Sequence, residues 1–400
     1  MEMGIHNNAF QKNANTAMIL GNIQKAGQTS RVRIAEELGL YRSTVTHIIG
    51  SLLEEGIVCE VGADPGHDGG RRPILLSLNG DFGCVVGIDL QPSHFIAVVM
   101  DITGRLLLER SGEVFEPDMG KAILHILESL RTSIVLLSRA VLAICVGIPG
   151  MVDSARNIVR YTELFDGATF DLDAQVGSRI DLPLLTENDA NCCAWYHLAR
   201  NKTEPRENFI CIFGDYHDEK KQTLDRVGVG VGLGISLDGK VYPGSHDAAG
   251  ELLTTSWRPH HIGQSNLVDA VLQDFSRNGD AYRLFVRDLF SSLVPVVSTF
   301  DPAQVYVHGN PFANDLPLRQ VLQEEVPQFL DLLARRGCVL KIDCGDSAIV
   351  AKGAAMMYLQ KLYSVPELQE TGAKDRVVWD EVRAAAHAYR QRHGLGSFST

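Results

Sequence analysis

No apolar run in this 400-residue sequence reaches the roughly 18 residues that a membrane-spanning helix requires. The first residues, MEMGIHNNAFQKNANTAM, lack a charged start, an apolar stretch and a small-residue cleavage site, so no signal peptide is expected. The eight cysteines form no CxxC pair. Without a secretory signal, they predict reduced, mostly buried thiols in a cytoplasmic protein. Low-complexity tracts and repeats of solenoid period are also missing. Basic residues are in short supply: 37 Lys and Arg face 49 Asp and Glu, a formal net charge of −12. A protein that binds DNA over its whole surface would not carry this balance, so any DNA contact has to come from a local patch. What is present is ordinary globular material, 45% hydrophobic and 22% charged, on a chain long enough for two or three domains.

The texture changes near residue 84. Residues 1–80 are helix-rich and end in a Gly/Arg loop. Beyond them, Val-rich strands, Gly turns and amphipathic helices alternate as in an α/β body. CVVGIDL (84–90), FIAVVMD (95–101) and RLLLERSGEV (105–114) read as a three-strand meander, followed by a helix over 120–138. VLAICVGIPG (141–150) reads as a buried strand entering a Gly-Pro turn. Further strands are expected at 208–214, 227–242, 303–309 and 338–344. Helical patterns fill 265–299, 316–335, 347–362 and 376–393.

Within the first 80 residues, Thr29-Ser30 can cap a short helix over 32–38, and Gly39 can end it. A second helix runs from Arg42 or Ser43 toward Gly56, with Val45, Ile48, Ile49, Leu52 and Leu53 on its inner face. The opposite face offers Arg42, Ser43, Thr44, Thr46 and His47, donors placed where a major-groove helix meets base edges and phosphates. IVCEV and PILLSL can pair as a hairpin whose tip, GADPGHDGGRRP, ends in Arg71 and Arg72, a wing able to reach phosphates or a minor groove. This segment holds 7 Lys and Arg against 8 Asp and Glu, a balance of −1. DNA-binding domains are usually basic, so a helical protein–protein module stays open. Glu54 and Glu55 lie at the far end of the helix from its reading tip, which softens the objection, and the helix-turn-helix, wing and GGRRP together favour DNA.

In the body, VGIPGMVD (146–153), TENDANCCAW (186–195), GVGVGLGISLDGKVYPGS (228–245), AAGE (248–251), FDP (300–302) and GDSAIVAKGAA (345–355) follow one another in order. With these motifs the chain resembles the ROK family of repressors and sugar kinases. The resemblance implies a winged helix-turn-helix (α+β) head at 1–80, then a two-lobed α/β actin/hexokinase-like (ribonuclease H-like) body. Its first lobe is expected over 81–200. The second is expected over 201–400, with C-terminal helices returning to the first. The resemblance also implies sugar contacts at Gly150, Asn188, Asp189 and Glu251. Asp189 matches the position of the general base of the family's kinases. Read from the residues, Asn188 and Asp189 can make paired hydrogen bonds to vicinal hydroxyls, with a helix N-cap pair as the alternative, and Gly150 allows close backbone approach to a ligand or serves as a tight turn.

Three departures argue against phosphoryl transfer. The turn after the first body strand reads Asp89-Leu90-Gln91-Pro92-Ser93-His94, without the family's glycines, and Pro92 has no N–H to donate. Val229 stands where the family has Thr among Gly228, Gly230 and Gly232. A late Gly-Gly reads Gly309-Asn310. Thr254 occupies the place of the family's zinc-ligating His, and no cysteine follows through Asn266, so no thiolate metal site is expected there. Trp257 can stack on a sugar face or serve as a core residue; His260 and His261 read as loop.

The expectation is a non-enzymatic, sugar-responsive regulator, a repressor acting as a homodimer on a double-stranded DNA operator, with no cofactor, metal or membrane partner. Helices at 265–299 and 376–393 are candidates for its dimer contacts. The alternatives are a sugar kinase with a regulatory head and a scaffold that binds neither ligand.

Overall fold

The computed structural model describes residues 2–64, 72–116, 118–162, 169–201, 208–217, 228–259, 264–265, 267, 279–313, 316–365 and 377–395. The head opens with α1 (Glu2–Ala26), followed by the two-residue strand β1 (Thr29–Ser30), α2 (Arg31–Leu38) and α3 (Arg42–Glu54). Ser30 caps α2 by accepting from the Arg33 N–H, and Gly39 ends it in the left-handed region at φ 64°. Such a cap contributes about 1 kcal/mol. Strands β2 (Val58–Ala63) and β3 (Ile74–Leu78) pair antiparallel as the wing, and β1 pairs with the other edge of β3. Residues 65–71 at the wing tip, Arg71 among them, lie outside the described residues. Arg33 pairs with Asp64 at 2.9 Å and ties the wing base to α2.

The first lobe is a five-stranded sheet with strand order β11-β7-β4-β5-β6. Its strands are β4 (Gly83–Leu90), β5 (His94–Asp101), β6 (Leu106–Glu113), β7 (Ala140–Ile148) and β11 (Leu184–Asn188). The runs in β4 and β7 are apolar on both faces, and every residue in both strands is buried, as a covered parallel pair demands. Helix α4 (Met119–Leu136) starts on Asp118, which accepts from the Lys121 N–H. A small three-stranded sheet, β8 (Met151–Asp153), β9 (Ile158–Tyr161) and β10 (Phe170–Asp171), hangs from the end of β7. After it come the short α5 (Leu172–Gln175) and α6 (Asp189–Arg200).

The second lobe repeats the plan with order β14-β13-β12-β15-β16, built from β12 (Phe209–His217), β13 (Gly228–Leu237), β14 (Lys240–Val241), β15 (Gln304–His308) and β16 (Val339–Ile342). Helix α7 is Gly279–Phe300; part of the helix expected over 265–299 lies outside the described residues. The single helix expected over 316–335 is two helices, α8 (Leu318–Glu325) and α9 (Pro327–Arg336). Pro327 removes a donor and forces Val326 out of the helical region, to φ −138° and ψ 51°.

Two last helices, α10 (Ile349–Tyr363) and α11 (Trp379–His393), lie on the first sheet. Helix α10 is buried almost all round, because it crosses α6 between the lobes. A Cβ on Gly353 would stand 1.8 Å from the Cys192 carbonyl oxygen, so the two helices touch backbone to backbone. The apolar face of α11, carrying Trp379, Val382, Ala386 and Tyr389, is buried within the chain. Amphipathicity alone makes this helix a dimer candidate; its stripe is already used. Helix α1 bridges head and first lobe: its Ile19, Leu20 and Ile23 belong to the same continuous core as β4 and β7, whereas the second lobe has a core of its own.

Candidate functional site

The strand ends of the first sheet bring together the residues singled out in the sequence. Strand β7 runs into Gly150, whose φ of +113° and whose closeness to Tyr161 (a Cβ would lie 2.3 Å from its carbonyl oxygen) admit only glycine. The neighbouring β11 ends at Asn188. Its side chain caps α6 by accepting from the Asn191 N–H at 3.0 Å and donates to the Gly150 carbonyl at 2.9 Å. The capping role and the contact with Gly150 are thus made by one side chain. Glu187 braces this corner, accepting from the N–H of Asn188, the amide of Asn191 and the indole of Trp195.

Asp189 is buried and accepts from the Ala190 N–H at 2.8 Å. Burial pushes its carboxyl well above the usual range. The charges of Asp89, Glu251 and Asp215 push the same way, against the Ala190 bond. Asp89 is itself buried and raised to about 7, first by desolvation and then by Asp215, with the Gln91 hydrogen bond acting against them. Charges from both lobes, Asp89 of the first and Asp215 and Glu251 of the second, thus act on the buried Asp189 and favour its protonated form.

Glu251 arrives from the second lobe. It is exposed and bridges Gly232 of β13, one residue from the Leu233 N–H that donates to the Gly250 carbonyl. Gly232 and Gly234 let β13 lie on the first turn of α6: a Cβ would stand 2.8 Å from the Ala190 Cβ and 2.1 Å from the Ala190 oxygen, respectively. Close packing thus accounts for Gly232, read in the sequence as part of a phosphate turn. Trp257 follows Glu251 by six residues. It is half-buried in the turn after Thr254, where its N–H donates to the Thr254 carbonyl.

In the head, Arg42, Ser43, Thr46 and His47 are exposed on α3 and Thr44 is half-buried, while Val45, Ile48, Ile49 and Leu52 face the core. Arg72 is exposed at the base of the wing. The structure adds Tyr41, which is 84% exposed beside Arg42 at the start of α3 and which the sequence reading does not include. An aromatic residue directly before the helix start was the available signal. Thr46 and His47 also border a groove of about 360 Å³ whose other walls include Lys12 of α1 and Arg383 of α11.

Two family models match the chain: the ROK family over residues 85–253, and a winged helix-turn-helix DNA-binding domain over residues 12–58. The chain carries a ROK-family domain behind a winged helix-turn-helix. A putative xylose repressor of Caldicellulosiruptor sp. is 30% identical over 255 residues, which are 62% of this chain and 59% of the relative. The DNA-binding transcriptional dual regulator NagC of Escherichia coli is 26% identical over 248 residues, 60% of this chain and 57% of NagC. The chain thus matches less than two thirds of the length of these relatives. A crystal structure of a ROK-family transcriptional regulator, described as a homologue of the E. coli Mlc protein, superposes with a TM-score of 0.70. It covers 94% of this chain and 100% of its own at 18% identity, a likeness of fold. The fold is a winged head on a ROK actin/hexokinase-like body.

In this ROK body the turn after β4 is closed on itself. The Gln91 N–H donates to the His94 carbonyl, Pro92 has no N–H, and the Gln91 amide folds back to donate to Asp89 at 2.9 Å. The Gln91 donors are thus used within the hairpin, and Pro92 offers none. At the late strand, Asn310 accepts from the Tyr216 N–H at 2.7 Å and donates to Asp215 at 2.8 Å, stapling that turn to β12. Thr254, at the family's His position, is buried and bonds Ser256; Ser256 meets Ser265, and Ser265 donates to Asp288 of α7. Gln264 pairs its amide with both backbone groups of Val231. Hydroxyl and amide contacts thus fasten this segment. Among the described residues no three or more His, Cys, Asp or Glu side chains are grouped to hold a metal, and no helix is long and apolar enough to cross a membrane. His260 and His261 lie outside the described residues.

Proposed function

We propose that this protein is a sugar-responsive DNA-binding transcriptional regulator, a repressor of carbohydrate-metabolism genes that does not phosphorylate its ligand. The observation that carries the reading is the pairing of two features in one chain. A recognition helix presents Arg42, Ser43, Thr46 and His47 to solvent. Behind it, the ROK cleft keeps Gly150, Asn188, Asp189 and Glu251 while its phosphate-side turns are closed by Gln91 and Asn310. The repressor names of the relatives support the same reading.

The sugar binds between the lobes, its hydroxyls meeting Asn188, Asp189 and Glu251, with Trp257 at the rim. Two heads of a cytoplasmic homodimer meet a near-palindromic operator, with Arg42 and the wing arginines Arg71 and Arg72 on phosphates and base edges. No cofactor or metal takes part. Sugar alters DNA affinity only insofar as it binds one lobe arrangement better than another. A physical connection exists: β7 leads from Gly150 beneath α11, and Arg383 of α11 pairs at 2.8 Å with Glu55 at the end of the recognition helix.

The test is a thermal-shift screen against sugars and sugar phosphates, D-xylose and N-acetylglucosamine included, with and without ATP-Mg. The expected result is stabilisation by one sugar, unchanged by nucleotide, and release or recruitment of duplex DNA by that sugar. One observation favours a kinase, the retained buried Asp189 with its raised pKa. Stabilisation by ATP-Mg, or ATP turnover abolished by Asp189→Ala, would establish that reading instead.

A further inference from the structure

The β8–β9 hairpin of the first lobe carries an arginine that reaches across the cleft. Arg160 donates from one terminal nitrogen to Asp153 at 2.6 Å and from Nε to Asp247 at 2.7 Å. Asp153 belongs to its own hairpin and is nearly buried; it is fixed further by the Arg156 N–H. Asp247 belongs to the second lobe, four residues before Glu251.

The segment that carries Asp247 is preformed. Gly244, Asp247 and Gly250 all have positive φ, at 79°, 57° and 92°, and the Ala249 N–H donates to the Pro243 carbonyl across the loop. Gly250 lies directly on β13: the Leu233 N–H donates to its carbonyl at 3.0 Å, and a Cβ there would stand 1.9 Å from the Leu233 oxygen. The loop is therefore anchored on β13 at its Glu251 end, and its tip is gripped by Arg160. A non-glycine residue held at φ 57° costs free energy that a fixed partner has to offset. A planar guanidinium with one carboxylate on each lobe is suited to that, because its donors diverge in a fixed fork.

We infer that Arg160 is a positioning residue that holds the Glu251 segment of the second lobe over the Gly150–Asn188–Asp189 floor of the first. The inference rests on the sugar-site reading for its purpose, but not for its first test. Arg160 touches the lobes rather than the sugar, so it sets how often the site is assembled and thereby the sugar dissociation rate. The chemistry it serves is recognition of a neutral polyol, whose hydroxyls need both walls at once.

The experiment is hydrogen–deuterium exchange on the full-length protein without ligand, comparing wild type with Arg160→Gln, Arg160→Lys and Asp247→Asn. Peptides spanning 243–251 are expected to exchange about fivefold faster in Arg160→Gln and Asp247→Asn, the scale of a half-exposed ion pair. Arg160→Lys, which cannot span both carboxylates, is expected to fall between them and wild type. Salt should speed exchange of this segment in wild type and leave the Gln variant unchanged, a response that simple packing loss does not give. Unchanged exchange at 243–251, or equal acceleration throughout the first sheet, would overturn the clamp.

A second arm titrates D-xylose and N-acetylglucosamine by calorimetry and stopped flow. If either sugar binds wild type, Arg160→Gln should raise its dissociation rate about fivefold; an unchanged rate would refute the role in the site. If neither sugar nor any other of the screen binds wild type while the exchange arm is positive, the clamp stands and the sugar reading falls.

Discussion

Replacing Asp89 by Asn should stabilise this protein, and do so more at high pH than at low. Asp89 is fully buried under the closed β4–β5 turn and titrates near 7, against 3.8 for an unperturbed carboxyl. Below pH 3.8 the residue is protonated in both folded and unfolded chains and contributes nothing. As pH rises from 3.8 toward 7, the unfolded chain loses its proton while the folded one keeps it, so stability falls. Above 7 the loss levels off. That separation corresponds to about 4 kcal/mol at pH 8 and about 2 kcal/mol at pH 5, with burial of the charge as its main source. Asparagine has the same shape without the charge. Its oxygen can still accept from Gln91, and its NH2 can reach the buried Gln91 Oε1, which has no hydrogen-bond partner among the described residues. Removing the Asp89 charge also relieves Asp189, whose pKa it helps to raise. Thermal unfolding of both proteins at pH 5 and pH 8 tests the reasoning. At about 2–4 °C per kcal/mol for a lobe of this size, the variant should lead by about 8–16 °C at pH 8 and by roughly half as much at pH 5. A lead equal at both pH values, or a less stable variant at pH 8, would refute the account of Asp89 as a buried carboxylate kept at the expense of stability. A residue of that kind is expected where a cleft serves ligand binding rather than folding.

Three further outcomes follow from the same geometry. Arg42→Ala combined with Arg72→Ala should lower the salt dependence of duplex DNA binding, by about 0.9 in the log–log slope for each phosphate no longer neutralised, while leaving the melting temperature unchanged; a filter-binding series from about 50 to 200 mM salt reads it. Arg383→Gln should leave the sugar dissociation constant unaltered but reduce the change in DNA affinity that sugar produces, because it cuts the link between α11 and Glu55; calorimetry and gel shift measure the two separately. Gly353→Ala should destabilise by about 3 kcal/mol, since its Cβ would overlap the Cys192 carbonyl where α6 crosses α10; a melting temperature equal to that of wild type would show that the crossing can give way.

The amino-acid sequence by itself determined the elements whose cause is local. Ser30 and Gly39 mark the ends of α2, the three- and four-residue spacing from Val45 to Leu52 marks the inner face of α3, and the continuous apolar runs of β4 and β7 mark buried strands. It also determined which residues stand at strand ends, and so Gly150, Asn188 and Asp189, because the motifs there are contiguous. The break between α8 and α9 is legible in Pro327, but the apolar spacing continues on both sides of it and reads as one helix. What only the tertiary structure decided involves residues far apart in the chain. The influence of Asp215 and Glu251 on the buried Asp189 depends on two sheets facing each other across α6 and α10. The pairing of Arg160 with Asp247 spans 87 positions, and that of Arg383 with Glu55 joins the last described helix to the head. The burial of the α11 stripe could not be told from an exposed dimer face by amphipathicity, because a helix shows only that one side seeks cover, and which surface supplies it is settled by the packing of the whole chain.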